Sequence, residues 1–486
     1  MSPTSPPVPR TNGSTTATAE RIDRLFDAQT THAPTMRQTD AEQRTAKIRR
    51  LRDGVVARRD AIRDALHADF RKPQVETDLT EVKAVADEAS FAIDNLASWM
   101  QPETVKTPPL LLGTRSEIHY QSRGVVLILS PWNYPFNLTF GPLIAALAAG
   151  NCAILKPSEY TPNASRVMGE IVAELFDERE VALVEGDKEV AQHLLQKPFD
   201  HIYFTGSPAV GQIVMRAAAD HLTSVTLELG GKSPTIVDDT ADVRTAATKV
   251  AWGKFTNAGQ TCIAPDHVYV HERVHDAFVD ELQAAIQRFY GETPAARRAT
   301  PDYARLVNDK HFQRIRRFFE DAVEAGATVA AGGEHDGEDH YFAPTVLTDV
   351  PDGTDVRCDE IFGPILPVLP FRGLDDVLAD INARPNPLAL YLFTQSNAVE
   401  DAVRTRTTAG GTCVNDVLLH YMNPYLPFGG AGHSGIGSTH GEYAFREFSH
   451  TRSVLKRSFG SVMMEKMYPP YGSFTKRLVD WVWTLL

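Results

Sequence analysis

The sequence predicts an α/β protein built on a parallel sheet covered by helices on both faces, followed by a second strand–helix series. Three observations carry this. Short apolar runs, VVLIL (125–129), CAIL (152–155), HIYF (201–204) and SVTLEL (224–229), alternate with helical segments. Strands apolar throughout are buried on both faces, as parallel strands are. The chain has 486 residues, room for two to four domains at about 150 residues each. Its 43% hydrophobic and 23% charged residues exclude wholesale disorder.

Taken in order, residues 1–20 are rich in Pro, Ser and Thr and lack the apolar core of an export signal, so they read as a disordered tail. Residues 40–70 read as one long helix, with Ile48, Leu51, Val55, Ile62 and Leu66 at helical spacing. A second helix follows Pro73, striped by Leu79, Val82, Val85, Ile93 and Leu96. Helices are expected from Gly141, after Thr161 and after Ser207, between the apolar strands. The second series runs from Pro234 to about Leu426. Residues 115–123 and 451–458 alternate like exposed strands and could pair with each other outside both main bodies. The apolar end, Leu478 to Leu486, is too short to span a membrane. With Trp481 and Trp483 it is expected to pack on its own protein or a partner subunit rather than lie on a membrane surface.

Net charge is −13, which argues against a nucleic-acid partner. The four cysteines, Cys152, Cys262, Cys358 and Cys413, are far apart and form no C-x-x-C, as expected of a reducing, cytoplasmic setting. The histidines show no metal-ligand spacing, so no metal is expected.

A G-x-G-x-x-G occurs at Gly430, Gly432 and Gly435, but it follows NPYLPF rather than a strand, so it reads as a loop shaping a pocket. FTGSPAVG (204–211) is the better phosphate site. It follows a strand and opens a helix, where Gly206 permits a turn and Ser207 caps the helix or meets phosphate. An ordinary Ser cap is an equal alternative on spacing alone. Lys156 and Glu159 follow the strand CAIL, at the sheet edge where ligands of parallel sheets bind. Cys262, in NAGQTCIAP, is surrounded by small polar residues on a loop and is the candidate nucleophile. Glu228, 34 residues earlier, ends an apolar strand, where partial desolvation would raise its pKa toward that of a general base. Asn133, in SPWNYPF, could donate to an oxyanion.

In order, SPWNYPF, LKPSE, FTGS, ELGGKSP, GQTCIAP, EIFGP (360–364) and LPFGG (426–430) resemble the aldehyde dehydrogenase superfamily over about residues 21–458. The GQTC form of the cysteine loop, LALYLFT and MYPPYG are similar to the class 3 branch, which includes fatty, aromatic and coniferyl aldehyde dehydrogenases. His267 stands where that branch is associated with a tyrosine. The resemblance implies that Cys262 is the nucleophile, Glu228 the general base and Asn133 the oxyanion donor with the Cys262 N–H. It implies cofactor contacts at Lys156, Glu159, Gly206, Ser207 and Gly211, with Glu360 at the nicotinamide ribose and Phe362 beside the nicotinamide.

The implied fold has a Rossmann-like cofactor domain (21–110 and 125–229), an α/β catalytic domain (230–430) and a small β oligomerisation flap (111–124 and 450–460), with a C-terminal tail at 461–486. The implied reaction is oxidation of a hydrophobic aldehyde, medium-chain aliphatic or aromatic, with NAD (NADP also accepted), by a homodimer. Tyr134, Phe136 and residues 420–428 are expected near the pocket. A cofactor-independent thiol esterase, or a non-catalytic binding protein on the same fold, are the alternatives. The esterase leaves FTGS, LKPSE and EIFGP without a purpose, and intact Cys262, Glu228 and Asn133 argue against the binding protein.

Overall fold

The computed structural model describes residues 12–108, 111–457, 465 and 468–484. Strand Val125–Leu129 is buried at every position and has a parallel neighbour on each side, which places it inside the first sheet. That sheet runs Gly435–Ile436, Ser224–Leu229, His201–Gly206, Val125–Leu129, Cys152–Lys156, Val181–Leu183. All its pairings are parallel except that of the short Gly435–Ile436 edge. From 125–129 the chain builds outward to 181–183, then returns to place 201–206 and 224–229 on the other side. Strand order thus reverses between 125–129 and 201–206, where carboxyl ends open a ligand crevice.

The second sheet runs Thr328–Ala331, Thr345–Thr348, Ile365–Phe371, His267–His271, Pro234–Val237, Ala389–Phe393, Gly411–Val414. Only its Thr328–Ala331 edge pairs antiparallel. Gly230 to Ser233 link the end of strand Ser224–Leu229 to the start of strand Pro234–Val237, so one sheet's carboxyl edge adjoins the other's amino edge. A third sheet joins Glu103–Val105, Thr114–Ser122 and Ser449–Arg457. Its long pairing, from Ser449 with Ser122 to Arg457 with Thr114, is the one expected of the two alternating segments. Strand Glu103–Val105 carries no such alternation and is an addition.

Several expectations are corrected by packing. The tail expected over 1–20 is helical from Asn12, in a helix Asn12–Arg37, and residues 1–11 lie outside the described residues. Burial of Ile22, Leu25 and Met36, and Gln29 bonds to the carbonyls of Ala153 and Glu178, hold this helix on the first sheet. The single helix expected over 40–70 is two, Ala41–Ala57 and Arg59–Phe70, broken at Arg58. After Pro73 a π-helical turn, Asp78–Val82, interrupts the helical path between Gln74–Thr77 and Lys83–Trp99. The turn rotates Leu79 outward to 56% exposure and buries Glu81 completely. The helix expected from Gly141 begins at Asn137. At the C-terminus, helix Ser473–Trp483 leaves Trp481 and Trp483 exposed, so they do not pack on their own chain. No helix among the described residues is long and apolar enough to cross a membrane.

Candidate active site

The cysteine loop is built from an unusual backbone. Asn257, Ala258 and Gly259 all have left-handed φ, at +55°, +53° and +74°. Such conformations are costly for residues with a Cβ and persist only where the surroundings impose them. Here Glu76 Oε2 accepts from the Asn257 N–H at 2.9 Å. Gln260 is fully buried, donates to the carbonyls of Asn257 and Arg305, and accepts from the Val307 N–H. The turn delivers Cys262, whose side chain stays partly open. Burial, and then the charges of Glu360 and Glu228, push its thiol up to about 12.

Asn133 follows strand Val125–Leu129 and is 2% exposed. Its Nδ2 donates to the Gln260 carbonyl at 3.0 Å. A carbonyl accepts only from a donor, so this contact selects the amide's NH₂ end toward the cysteine loop and leaves its second N–H for another acceptor. Glu228 is the penultimate residue of strand Ser224–Leu229 and is 4% exposed. Its Oε1 accepts from the Thr439 hydroxyl at 3.2 Å, while Oε2 is buried without a hydrogen-bond partner. Burial raises this carboxyl well above its ordinary range, opposed by the Thr439 bond and reinforced by Glu447. On its far side Gly435 pairs with Glu228, and a Cβ at Gly435 would lie 2.4 Å from the Leu227 carbonyl oxygen. Gly435 therefore serves close backbone packing against this strand, and Gly430 packs on the Ser434–Gly435 backbone of its own loop.

The remaining candidates line the carboxyl edge of the first sheet. Lys156 ends strand Cys152–Lys156 and meets Glu159 at 3.1 Å. Gly206 ends strand His201–Gly206, and Ser207 caps helix Pro208–Ala219 by accepting from the Val210 N–H at 3.5 Å. Gly211 packs on Leu229, where a Cβ would come within 2.7 Å. Glu360 Oε1 accepts from the Gly231 N–H at 3.1 Å, and burial pushes its carboxyl up to about 7. Phe362 has φ +47° and meets Trp132 edge-on at 5.5 Å. This set contains one ammonium and two carboxylates suited to ribose hydroxyls, a helix N-terminus suited to a pyrophosphate, and an aromatic ring. Its chemistry fits a nicotinamide dinucleotide.

Sequence reading missed the residues that hold these groups. Arg314 donates to the carbonyls of Glu360, Ile361 and Phe362. Lys232 pairs with Asp266, whose Oδ1 accepts from the Ile361 N–H. Lys72 and Glu81, paired at 2.7 Å, are both fully buried below the Asn133 loop. Only Lys232 lies in one of the motifs, ELGGKSP, and these contacts span 34 to 95 residues of chain apart from the local Lys72–Glu81 pair, nine residues apart. Of the expected pocket aromatics, Phe136 is fully buried core against Phe140. Tyr134 is partly open and bonds Thr261 at 2.6 Å, and Tyr421 packs on Phe428 and bonds Asn137.

Known proteins resemble this chain over most of its length. The chain is 44% identical to human aldehyde dehydrogenase family 3 member B1, over 90% of this chain and 92% of that protein. The solved substrate-bound state of Staphylococcus aureus AldH superposes with a TM-score of 0.90 at 40% identity, covering 95% of this chain and 99% of the other. A Mycobacterium tuberculosis aldehyde dehydrogenase complexed with NAD+ superposes with a TM-score of 0.82 at 26% identity, covering 91% and 92%. The aldehyde dehydrogenase family model matches residues 10–454. With that match spanning both sheets and the crevice between them, the chain belongs to the aldehyde dehydrogenase family, enzymes that oxidise aldehydes with a nicotinamide dinucleotide.

Proposed function

We propose that this enzyme oxidises a hydrophobic aldehyde, medium-chain aliphatic or aromatic, to its carboxylic acid through a thiohemiacetal and a thioester on Cys262. The observation that carries this is the convergence of Cys262, the partnerless Glu228 oxygen and the Asn133 amide at the junction of the two sheets. The thiol rests protonated, so Glu228 accepts its proton as sulfur attacks the aldehyde carbon. The free Asn133 N–H and the Cys262 N–H donate to the oxyanion that forms. A bound nicotinamide supplies the acceptor for the hydride that leaves this carbon. Glu228 passes the thiol proton to solvent, then takes a proton from the water that attacks the thioester; the C–S bond breaks, the Cys262 thiolate that leaves regains that proton from Glu228, and the acid departs.

Tyr134, Tyr421 and Phe428 supply an apolar lining, and contacts of that kind discriminate shallowly, so several aldehydes should be accepted. Glu159 at the adenosine ribose favours NAD over NADP, because a carboxylate repels a 2′-phosphate. The four unpaired cysteines suit a cytoplasmic location.

The test is aldehyde-dependent NADH formation with single variants. Asn133→Ala should lower kcat by about 10²–10³ while the fold and cofactor binding survive. Cys262→Ala should abolish turnover and still bind NAD. Substantial NADH formation by Cys262→Ala would overturn the assignment, and a clear preference for NADP in kcat/KM would remove the role given to Glu159.

A further inference from the structure

The segment from Asn133 to Asn137 is held from below by two charges that no part of the proposed chemistry uses. Lys72 follows the helix Arg59–Phe70, and Glu81 sits in the π-helical turn. Their side chains meet at 2.7 Å with no exposure for either. Burying two charges is expensive, and an apolar pair of the same volume is often no less stable. Stability alone therefore does not explain the pair, and its remaining contacts point elsewhere.

All of those contacts fall on one five-residue stretch. Lys72 Nζ reaches the Asn133 carbonyl at 3.5 Å and lies 3.9 Å from the centre of the Tyr134 ring. Glu81 Oε2 accepts from the N–H groups of Phe136 and Asn137, each at 3.0 Å. Those N–H groups open helix Asn137–Ala149, whose Phe136 cap has no side-chain acceptor of its own. Glu81 is thus the cap of that helix, supplied from another element, with its charge at the favourable helix end. The Asn133 carbonyl is gripped on its other side by Asn257 Nδ2 at 3.0 Å. The backbone of Asn133 is therefore clamped between the ion pair and the cysteine loop, and only its side-chain amide is left to face the reacting carbon.

We infer that Lys72 and Glu81 are positioning residues for the oxyanion site: the buried pair sets the height and tilt of the Asn133 amide relative to Cys262. An oxyanion donor acts only if it is aimed at the oxygen within tenths of an ångström. Misplacement by about 1 Å costs on the order of 10²-fold in rate. The inference rests on the reading of Asn133 as oxyanion donor, and the experiment separates the two.

The experiment is a kcat cycle with aldehyde and NAD on Lys72→Met, Asn133→Ala and the double variant, with thermal melts and NAD binding measured on each. Lys72→Met should lower kcat by about 10- to 100-fold with NAD binding retained. In the Asn133→Ala background the same substitution should cost less than about 2-fold, because the group it aims is gone. Equal losses in both backgrounds would overturn the inference and make the pair merely structural. Because Lys72→Met leaves Glu81 unpaired and could fail to fold, Lys72→Met with Glu81→Gln serves as a neutral replacement that still accepts from Phe136 and Asn137. It should melt near the parent while kcat stays depressed, and full recovery of kcat with stability would equally overturn the inference. An unchanged kcat for Asn133→Ala alone would instead defeat the oxyanion reading itself, whatever Lys72→Met does.

Discussion

Glu360 and Glu228 make the protein's stability and its turnover depend on pH in related ways. Burial pushes the Glu360 carboxyl up to about 7 in the folded protein, whereas the unfolded chain releases this proton near the ordinary value of 4.5. Between those values the folded state binds more protons than the unfolded one, so this carboxyl's contribution to stability falls as pH rises. Glu360→Gln cannot ionise. Between pH 5 and pH 8 its melting temperature without cofactor should therefore rise relative to that of the parent, and a flat difference would contradict the burial described. Glu228 is raised for the same reason, and its basic form exists only above that raised value. Turnover should climb with pH beyond the range of an ordinary carboxylate, and a kcat plateau reaching down to pH 5 would contradict its role as base. The sequence anticipated the direction for Glu228, because a charged residue at the end of an apolar strand must lose water. It could not anticipate Glu76, pushed up to about 7 under the cysteine loop, because nothing near Glu76 in the chain is responsible.

The elements divide by whether their cause is local. The apolar strands of the first sheet were legible where VVLIL and CAIL carry no alternation and are buried at every position, whereas SVTLEL alternates and the burial of its Thr226 and Glu228 was decided by the fold. The start of helix Asn137–Ala149 was not, since its cap comes from Glu81. Nor was the π-helical turn, where one extra residue shifts the apolar stripe and exposes Leu79. The left-handed turn 257–259 belongs with these, and it offers a test. A Cβ on Gly259 would lie 2.3 Å from the Gly363 carbonyl oxygen, at a φ of +74°. Backbone on both sides leaves nothing to yield. Gly259→Ala should cost about 1–3 kcal/mol in denaturant melts and depress kcat, since the turn also carries Gln260 and Cys262. Gly326→Ala, at φ +111° with open space around it, serves as a control for the backbone conformation alone and should leave kcat unchanged.

At the scale of the whole molecule, strand Ser449–Arg457 is the edge of the third sheet among the described residues. Such an edge is a template for another strand. Leu455 on it is 55% exposed, and Trp481 and Trp483 are 58% and 70% exposed. We propose that a second copy covers this edge, giving a homodimer. Light scattering after size exclusion should report twice the chain mass for the parent. Leu455→Asp should shift that distribution toward monomer. A parent that is monomeric and fully active would remove the proposal.

What the sequence determined by itself is the run of buried parallel strands and the order of short motifs along them. Both are written in contiguous residues: an all-apolar strand is locally committed to a two-faced burial, Asn133 follows such a strand, Glu228 lies near the end of another strand of the same sheet, and Cys262 lies on the loop after helix Val243–Phe255. Only the tertiary structure decided how those groups are aimed. Lys72, Glu81, Glu76, Arg314 and Thr439 reach their targets from distant segments, and the partner that satisfies a buried charge or an open helix end is chosen by the fold's geometry in space. A periodic pattern records which face is buried, but it carries no information about which remote side chain will meet a given carbonyl or N–H there.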